Sequence, residues 1–580
     1  MKNILVSAFL AAYAFVLYTS CASQQPVTGG AKDTIPPTLL ESYPINKSLN
    51  FKDQKITLVF DEFIKEDQIK TKLIITPDDQ NKFDVLIKKT SLTLEFENPF
   101  ADSTTYTLNF NSTISDITEN NDAENIILAF STTTYIDSLS IAGSIIDLLT
   151  HEPIKEATVA LYQANDTTDI FNKRPLYFTK TAEDGTYSIE NLKNGNYRLY
   201  AFQDKNKNNL CEPNDEPHGF IADTLALTYN IDSLTIPITR NDVRPLAQLT
   251  SRTSGIYFES RYNKPLKDFS VQILDSLKLP NWTIEANLTP DGRGIVFYPV
   301  SNPKKDSLQI AITSIDSTYN QTIDTTYLKF TSSKRSIPPF TFTTIPTKDE
   351  QILEKTTFTL SFTKPVAKNY IADSMRVSID TLVQHPVKID TIIWNNHKTK
   401  VTINTQIDKK IVANEKLRYQ QLTDSLQSDT SSLDFKRYSR IKKLLDKVED
   451  NYTRVKLPKG TFFSVDGDTS YTENIPLKFI NSEERGIVRG TISTDYTNYT
   501  LQLVTNKYKV VSSQPGTSTF EFKNIPPGDY TFRILVDDNN DGVWSTGNSL
   551  KRIEPESVYI YPEFFNVREN WTLENVEINF

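Results

Sequence analysis

Apolar and polar side chains alternate along most of this chain in runs of a few residues, the period of a strand whose two faces meet different surroundings. Within residues 55–64, Ile56, Leu58 and Phe60 stand at every second position, and Leu92, Leu94 and Phe96 repeat the pattern. Tyr106, Leu108 and Phe110 do the same, as do Phe358, Leu360 and Phe362 in the second half of the chain. Short runs of this kind, separated by polar turns, predict strands stacked as β-sandwiches. Residues 414–451 depart from the rule. There Leu417, Leu422 and Leu426, then Ile441, Leu444, Leu445 and Val448, recur at helical spacing. The spacing predicts one helix or a helical hairpin, with Ser428-Asp429-Thr430-Ser431-Ser432 as the interruption.

The N-terminus follows a third pattern. Lys2 precedes an apolar run over residues 4–16, and Tyr18-Thr19-Ser20 leads to Cys21. The run is shorter than the roughly 20 residues that a spanning helix needs, and small residues before Cys21 suit a signal peptidase. It resembles a lipoprotein export signal, with Tyr18 where such signals usually carry Leu. The resemblance implies a signal peptide over 1–20 and lipidation of Cys21 by a palmitate-type chain, followed by a flexible polar tether over 21–33. An ordinary secretory signal with a chance cysteine is the competing reading.

A chain of 580 residues exceeds what one core serves and divides into about four or five units of ordinary size. Its net charge of -9, without a cationic cluster, speaks against nucleic acid as a partner, since such binding needs concentrated neutralisation of phosphate. Cys21 and Cys211 are the only cysteines. Acylation of the first leaves no disulfide within the chain, so stability must come from several apolar cores. The 27 Tyr and 32 Phe suit pleated, half-buried surfaces. The fold class is all-β: tandem β-sandwiches with one inserted helical segment.

Val59-Phe60-Asp61-Glu62, Leu94 to Phe96, Thr105-Tyr106-Thr107-Leu108, and Ile114-Ser115-Asp116 ahead of Asn120-Asn121 resemble the bacterial Ig-like domain found near the start of many Bacteroidota lipoproteins. The resemblance implies an Ig-like sandwich over 34–134. Ile141-Ala142-Gly143-Ser144-Ile145, continuing to Phe202, is similar to the prealbumin-like, carboxypeptidase-regulatory-type sandwich and implies such a unit over 138–240. The C-terminus repeats it. Asn191 to Tyr197 leads to Asp204 with the spacing by which Asn524 to Tyr530 leads to Asp537, and Val488-Arg489-Gly490-Thr491-Ile492 matches the opening at Ile141. Residues 486–580 are therefore read as a second prealbumin-like sandwich. Residues 241–336 are assigned to a further sandwich by elimination. Residues 337–485 are read as a second Ig-like unit carrying the helical insertion 414–451.

The sharpest candidate chemistry is Asp537-Asp538-Asn539-Asn540-Asp541-Gly542, the first half of a calcium loop. Asp537, Asn539 and Asp541 supply oxygens at alternate positions, and Gly542 stands sixth. The twelfth position, where Glu is expected, is Asn548. The paired loop offers Asp204, Asn206, Asn208 and, twelfth, Asp215, but inserts Lys205 and Lys207 and lacks the glycine. Structural calcium competes here with a metal-free turn, and no cofactor is required. His151, His218, His385 and His397 lie apart, without metal or nucleophile motifs around them. No catalytic residue is assigned and no enzyme is expected.

These features together point to a lipid-anchored scaffold or binding protein of the outer membrane, an accessory subunit of a complex such as one acting in β-barrel assembly or export. The expected partners are the membrane, through the anchor, and an outer-membrane protein; which face of that membrane is involved stays open. The helical insertion, near Leu417, Leu422, Ile441 and Leu445, is the expected contact surface. One alternative is a glycan-binding lipoprotein of an uptake system, although Trp282, Trp394, Trp544 and Trp571 form no cluster in the sequence. A hydrolase is the other.

Overall fold

The alternating residues turn inward and pair face to face. The computed structural model describes residues 34–580 apart from 111–112, 124–125, 167–169, 275–283, 300–306, 332–337 and 380–382. In the first sandwich, strand Lys55–Phe60 lies between Leu39–Tyr43 and Ser91–Phe96, with Phe83–Lys88 outermost. Thr105–Asn109, between Ile74–Thr76 and Ile127–Ser131, forms the second sheet. Ile56, Leu58, Phe60, Leu92, Leu94, Tyr106 and Leu108 bury their side chains together between the two, so the period of two seen in the sequence is the core itself.

The fourth sandwich repeats this arrangement. Lys355–Phe362 and Lys400–Gln406 pair between Phe342–Ile345 and Lys388–Trp394, and Tyr452–Leu457 lies between Arg376–Ser378 and Glu473–Phe479. The crossing from one sheet to the other, short in the first sandwich at residues 97–104, here runs from Gln406 to Tyr452 and holds two helices, Ile411–Ser425 and Leu433–Leu445. The second helix is capped by Ser432, whose hydroxyl accepts the Phe435 amide at 3.0 Å. Val412, Ile441 and Leu445 pack against Ile379 and Val383 as a satellite of the main core. The insertion is thus a hairpin seated on the sandwich by its own apolar contacts.

The second and last sandwiches share one topology. In each, a long first strand pairs in parallel with the closing strand: Leu139–Asp147 with Ile231–Ile238, and Gly486–Ser493 with Thr572–Asn579. The matched glycine of the duplicated opening has a steric cause. A Cβ on Gly143 would lie 1.9 Å from the Leu234 carbonyl oxygen, and one on Gly490 would lie 2.0 Å from that of Val576. Only glycine lets the parallel strands approach at that irregular step. Between these copies, Tyr257–Tyr262 and Gly294–Tyr298 of one sheet enclose Phe258, Tyr262, Ile295 and Phe297 against Ile310 and Ile312 of Leu308–Asp316 in the other.

The sandwiches do not simply follow one another in line. The last returns to the second, where the Arg552 side chain donates to the carbonyls of Ile221 and Ala222 and the Ala222 amide donates to Glu554 Oε1 at 2.6 Å. The third meets the fourth through Tyr257, whose hydroxyl donates to Asp466 Oδ2 at 2.6 Å, and through His397, 3.0 Å from Asp268.

Gly490→Ala is expected to destabilise the last sandwich by about 3 kcal/mol or more, because backbone rather than a flexible side chain obstructs the added carbon. Hydrogen exchange should show the loss concentrated in residues 486–580 while the first sandwich keeps its protection.

Candidate functional site

The duplicated loops follow corresponding strands of the two copies, Gly195–Phe202 and Gly528–Val536. After Gly528–Val536 the chain turns at Asp537, which is buried. Asp537 Oδ1 accepts the Asp541 amide at 3.1 Å and Oδ2 accepts that of Gly542 at 2.8 Å. Asn539 Oδ1 accepts the Asp541 amide at 2.8 Å, and Asp541 Oδ1 accepts that of Val543 at 2.9 Å. In the first copy, after Gly195–Phe202, Asp204 accepts the amides of Asn208 and Asn209 at 3.2 and 3.1 Å, and Asn206 accepts that of Asn208 at 3.0 Å. Asn209 fills the place of Gly542 with φ 59, a left-handed conformation that asparagine tolerates.

Neither residue at the twelfth position closes its loop. Asp215 is exposed and pairs with Lys205 at 2.9 Å, and Asn548 accepts the amides of Leu550 and Lys551. The closing groups are Glu216 and Glu556, each two residues before a strand, His218–Phe220 and Val558–Ile560. Glu216 accepts the amides of Lys205 and Glu212 at 2.7 and 2.9 Å, and Glu556 those of Asn539 and Ser545 at 3.3 and 2.7 Å. Burial raises the pKa of both, and the carboxylates of Asp537 and Asp541 add to the rise at Glu556. Asp537, Asn539 and Asp541 therefore do come together, as do Asp204, Asn206 and Asn208, whereas Asp215 stands apart. Among the described residues no three His, Cys, Asp or Glu side chains form a group that could hold a metal ion.

Just beyond the loops, the two copies meet. His218 places Nε2 at 3.3 Å from Ser549 Oγ and Nδ1 at 3.4 Å from the Glu216 carbonyl, with Phe171 edge-on to its ring at 5.3 Å. Asn241 donates to the Gly547 carbonyl at 2.9 Å. Gly547 has φ +73, and a Cβ there would lie 2.4 Å from the Ile553 carbonyl oxygen. Burial pushes the His218 pKa below its ordinary 6.5 against the opposing pull of the Glu216 carbonyl and the Asp242 carboxylate, so the seam holds a neutral imidazole.

The other histidines serve separate contacts. His385 lies 3.2 Å from the buried Glu415 of the hairpin, His397 stacks on Phe269 at 4.1 Å, and His151 occupies a left-handed turn. Trp394 stacks on Phe362 at 5.8 Å, Trp571 lies under Arg568, and Trp544 is half-buried; Trp282 falls outside the described residues. Cys21 and the tether fall outside them as well. Within the hairpin, Ile441 and Leu445 face the sandwich and Leu422 is half-buried, whereas Leu417 is 60% exposed. Leu433, at 85%, is an exposed apolar residue that the helical period passes over, because it stands at the first turn.

Residues 33–134 match the family model of the bacterial Ig-like domain. No curated protein matches the chain. Among solved structures, BcpA, the major pilin subunit of Bacillus cereus, aligns at 10% identity over 76% of this chain and 99% of its own, with a TM-score of 0.13. The S-layer protein rSbsC aligns at 10% identity over 86% of this chain and 64% of its own, with a TM-score of 0.14. Dimeric latent PorU from Porphyromonas gingivalis aligns at 7% identity over 53% and 34%, with a TM-score of 0.20. Likenesses this distant carry no argument about role.

Asp537→Ala is expected to cost about 1–3 kcal/mol, since the Gly542 amide loses its buried acceptor. Calcium at the Asp537 loop is a proposal that the same variant tests: millimolar calcium raises the melting temperature of the wild type by more than that of Asp537→Ala. Equal shifts in both, or none in either, would rule calcium out of the Asp537 loop. For His218, a depressed folded pKa means that stability is complete above the unfolded value near 6.5 and declines as pH falls below it. Melting temperatures across that range should fall for the wild type and fall less for His218→Gln.

Proposed function

We propose that the chain is a lipid-anchored scaffold or binding protein of the outer membrane, an accessory subunit that holds an outer-membrane protein through its helical hairpin. The observation that carries this reading is the return of the last sandwich onto the second. It converts tandem domains, which would otherwise pivot at their linkers, into a frame that keeps its surfaces at fixed separations. The hairpin supports the contact role, because Leu417 and Leu433 stand exposed on a long insertion whose Val412, Ile441 and Leu445 already pack on the sandwich. The anchor rests on the sequence before Cys21. An acyl chain there confines the frame to the membrane surface and raises its concentration near any partner in that plane.

Gentle detergent extraction, affinity purification and mass spectrometry test the proposal. An outer-membrane protein is expected to co-elute in fixed ratio with the wild type, and Leu417→Asp combined with Leu433→Asp should cut its recovery about tenfold without lowering the melting temperature, because both positions are on the surface. Cys21→Ser should move the chain from the membrane to the soluble fraction. Recovery of the wild type as a lone monomer would sink the scaffold reading, and a soluble wild type would sink the anchor.

A further inference from the structure

A cleft of about 440 Å³ opens where the hairpin meets the fourth sandwich. One wall is the second helix and the turn after it, where Leu444 and Val448 are partly exposed and Ile441 and Leu445 are buried; the buried Ile379 and Val383 line it as well. The floor is the outward face of two neighbouring strands, where Tyr452 and Lys478 are direct cross-strand partners and Arg454 follows along the same face. Lys447 stands at the rim.

The lining is cationic as well as apolar. Three cations, Lys447, Arg454 and Lys478, line the cleft with a single carboxylate, Glu449, in a chain whose net charge is -9. Glu449 is bound to Lys478 at 2.7 Å. Among the described residues neither Lys447 nor Arg454 lies within ion-pair distance of a carboxylate, and Arg454 rests only over the Tyr452 ring at 5.7 Å. The volume falls within the range of sites that take small molecules, about 300–1,000 Å³.

We propose that this cleft binds a single-chain amphipathic anion of the fatty-acid type, its hydrocarbon chain along the helix and its carboxylate on Arg454 and Lys447. The aliphatic side chains of that wall offer no hydrogen-bonding group. A peptide strand laid against it would bury amide groups without partners, at a cost of a few kcal/mol for each, whereas an acyl chain has none to satisfy. Arg454 on the floor and Lys447 at the rim, neither held by a carboxylate, select an anionic head over a cationic or neutral one. The inference stands apart from the scaffold reading, since it concerns a ligand of this sandwich alone.

Calorimetric titration of the purified chain with dodecanoate, below its micellar concentration, tests the inference. Saturable binding of one dodecanoate per chain is expected, with dodecyltrimethylammonium binding at least about tenfold more weakly. Arg454→Glu with Lys447→Glu should weaken dodecanoate about tenfold, and Leu444→Trp should block it by filling the cleft. Unchanged melting temperatures in both variants would show that the fold survives. Absence of saturable binding would overturn the inference and leave the cleft to a protein segment; equal binding of the cationic amphiphile, or indifference to both variants, would overturn it as well.

Discussion

The seam between the second and last sandwiches is the constraint on which the arrangement of the whole chain depends. Directional bonds run across it: Asn241 to the Gly547 carbonyl, Arg552 to those of Ile221 and Ala222, Arg533 to that of Leu149, Glu554 to the Ala222 amide, His218 to Ser549. Each is worth only about 1–3 kcal/mol net. Their geometry is demanding, however, and a buried partner left unpaired costs more than the bond contributes. The third and fourth sandwiches hold the two copies near each other, so the seam closes at a high effective concentration. Modest bonds can then fix the arrangement.

The joints within the loop so formed use the same chemistry at higher charge. Lys264, almost fully buried, bridges Asp316 and the carbonyls of Asp242 and Arg244, which ties the third sandwich to the segment leaving the second. Lys364 holds Asp466 and Asp468 at 2.7 and 2.6 Å, and Asp466 in turn accepts the Tyr257 hydroxyl of the third sandwich. Buried ion pairs of this kind add little net stability but penalise any arrangement that leaves one partner alone. Without a disulfide among the described residues, orientation between the units rests on such penalties.

Strands such as Lys55–Phe60 and Lys355–Phe362 were legible in the sequence because each has one buried and one more exposed face, and the duplication was legible because Gly143 and Gly490 answer the same steric demand in the same register. The hairpin was legible from its helical period. Its inward residues, Ile441 and Leu445, were also its most conspicuous apolar ones, and for that reason the period marked the side bound to the sandwich better than the side left open. The loop-closing glutamates were not legible by counting. Glu216 follows Asp204 by 12 positions and Glu556 follows Asp537 by 19, because the second copy spends extra residues forming the turn that docks on the first. What the two share is a place two residues before a strand, which only the fold reveals. The return of the last sandwich was hidden for a similar reason, since its bonds fall mainly on backbone carbonyls and amides, which every residue carries.

The docking turn and the loop beside it therefore belong to one device. Residues 545–556 cross from the Asp537 turn to the strand that Glu556 precedes, and within that span Gly547, Ser549, Arg552 and Glu554 supply the contacts to the first copy. Glu556 pins the start and the end of the crossing through the amides of Asn539 and Ser545. Any change that loosens the loop, whether loss of Asp537 or protonation of a buried carboxylate, must displace the docking turn, because the same short segment is anchored at both places. The turn that looks like a binding motif in the sequence thus acts in the fold as the mount that sets the position of one copy against the other.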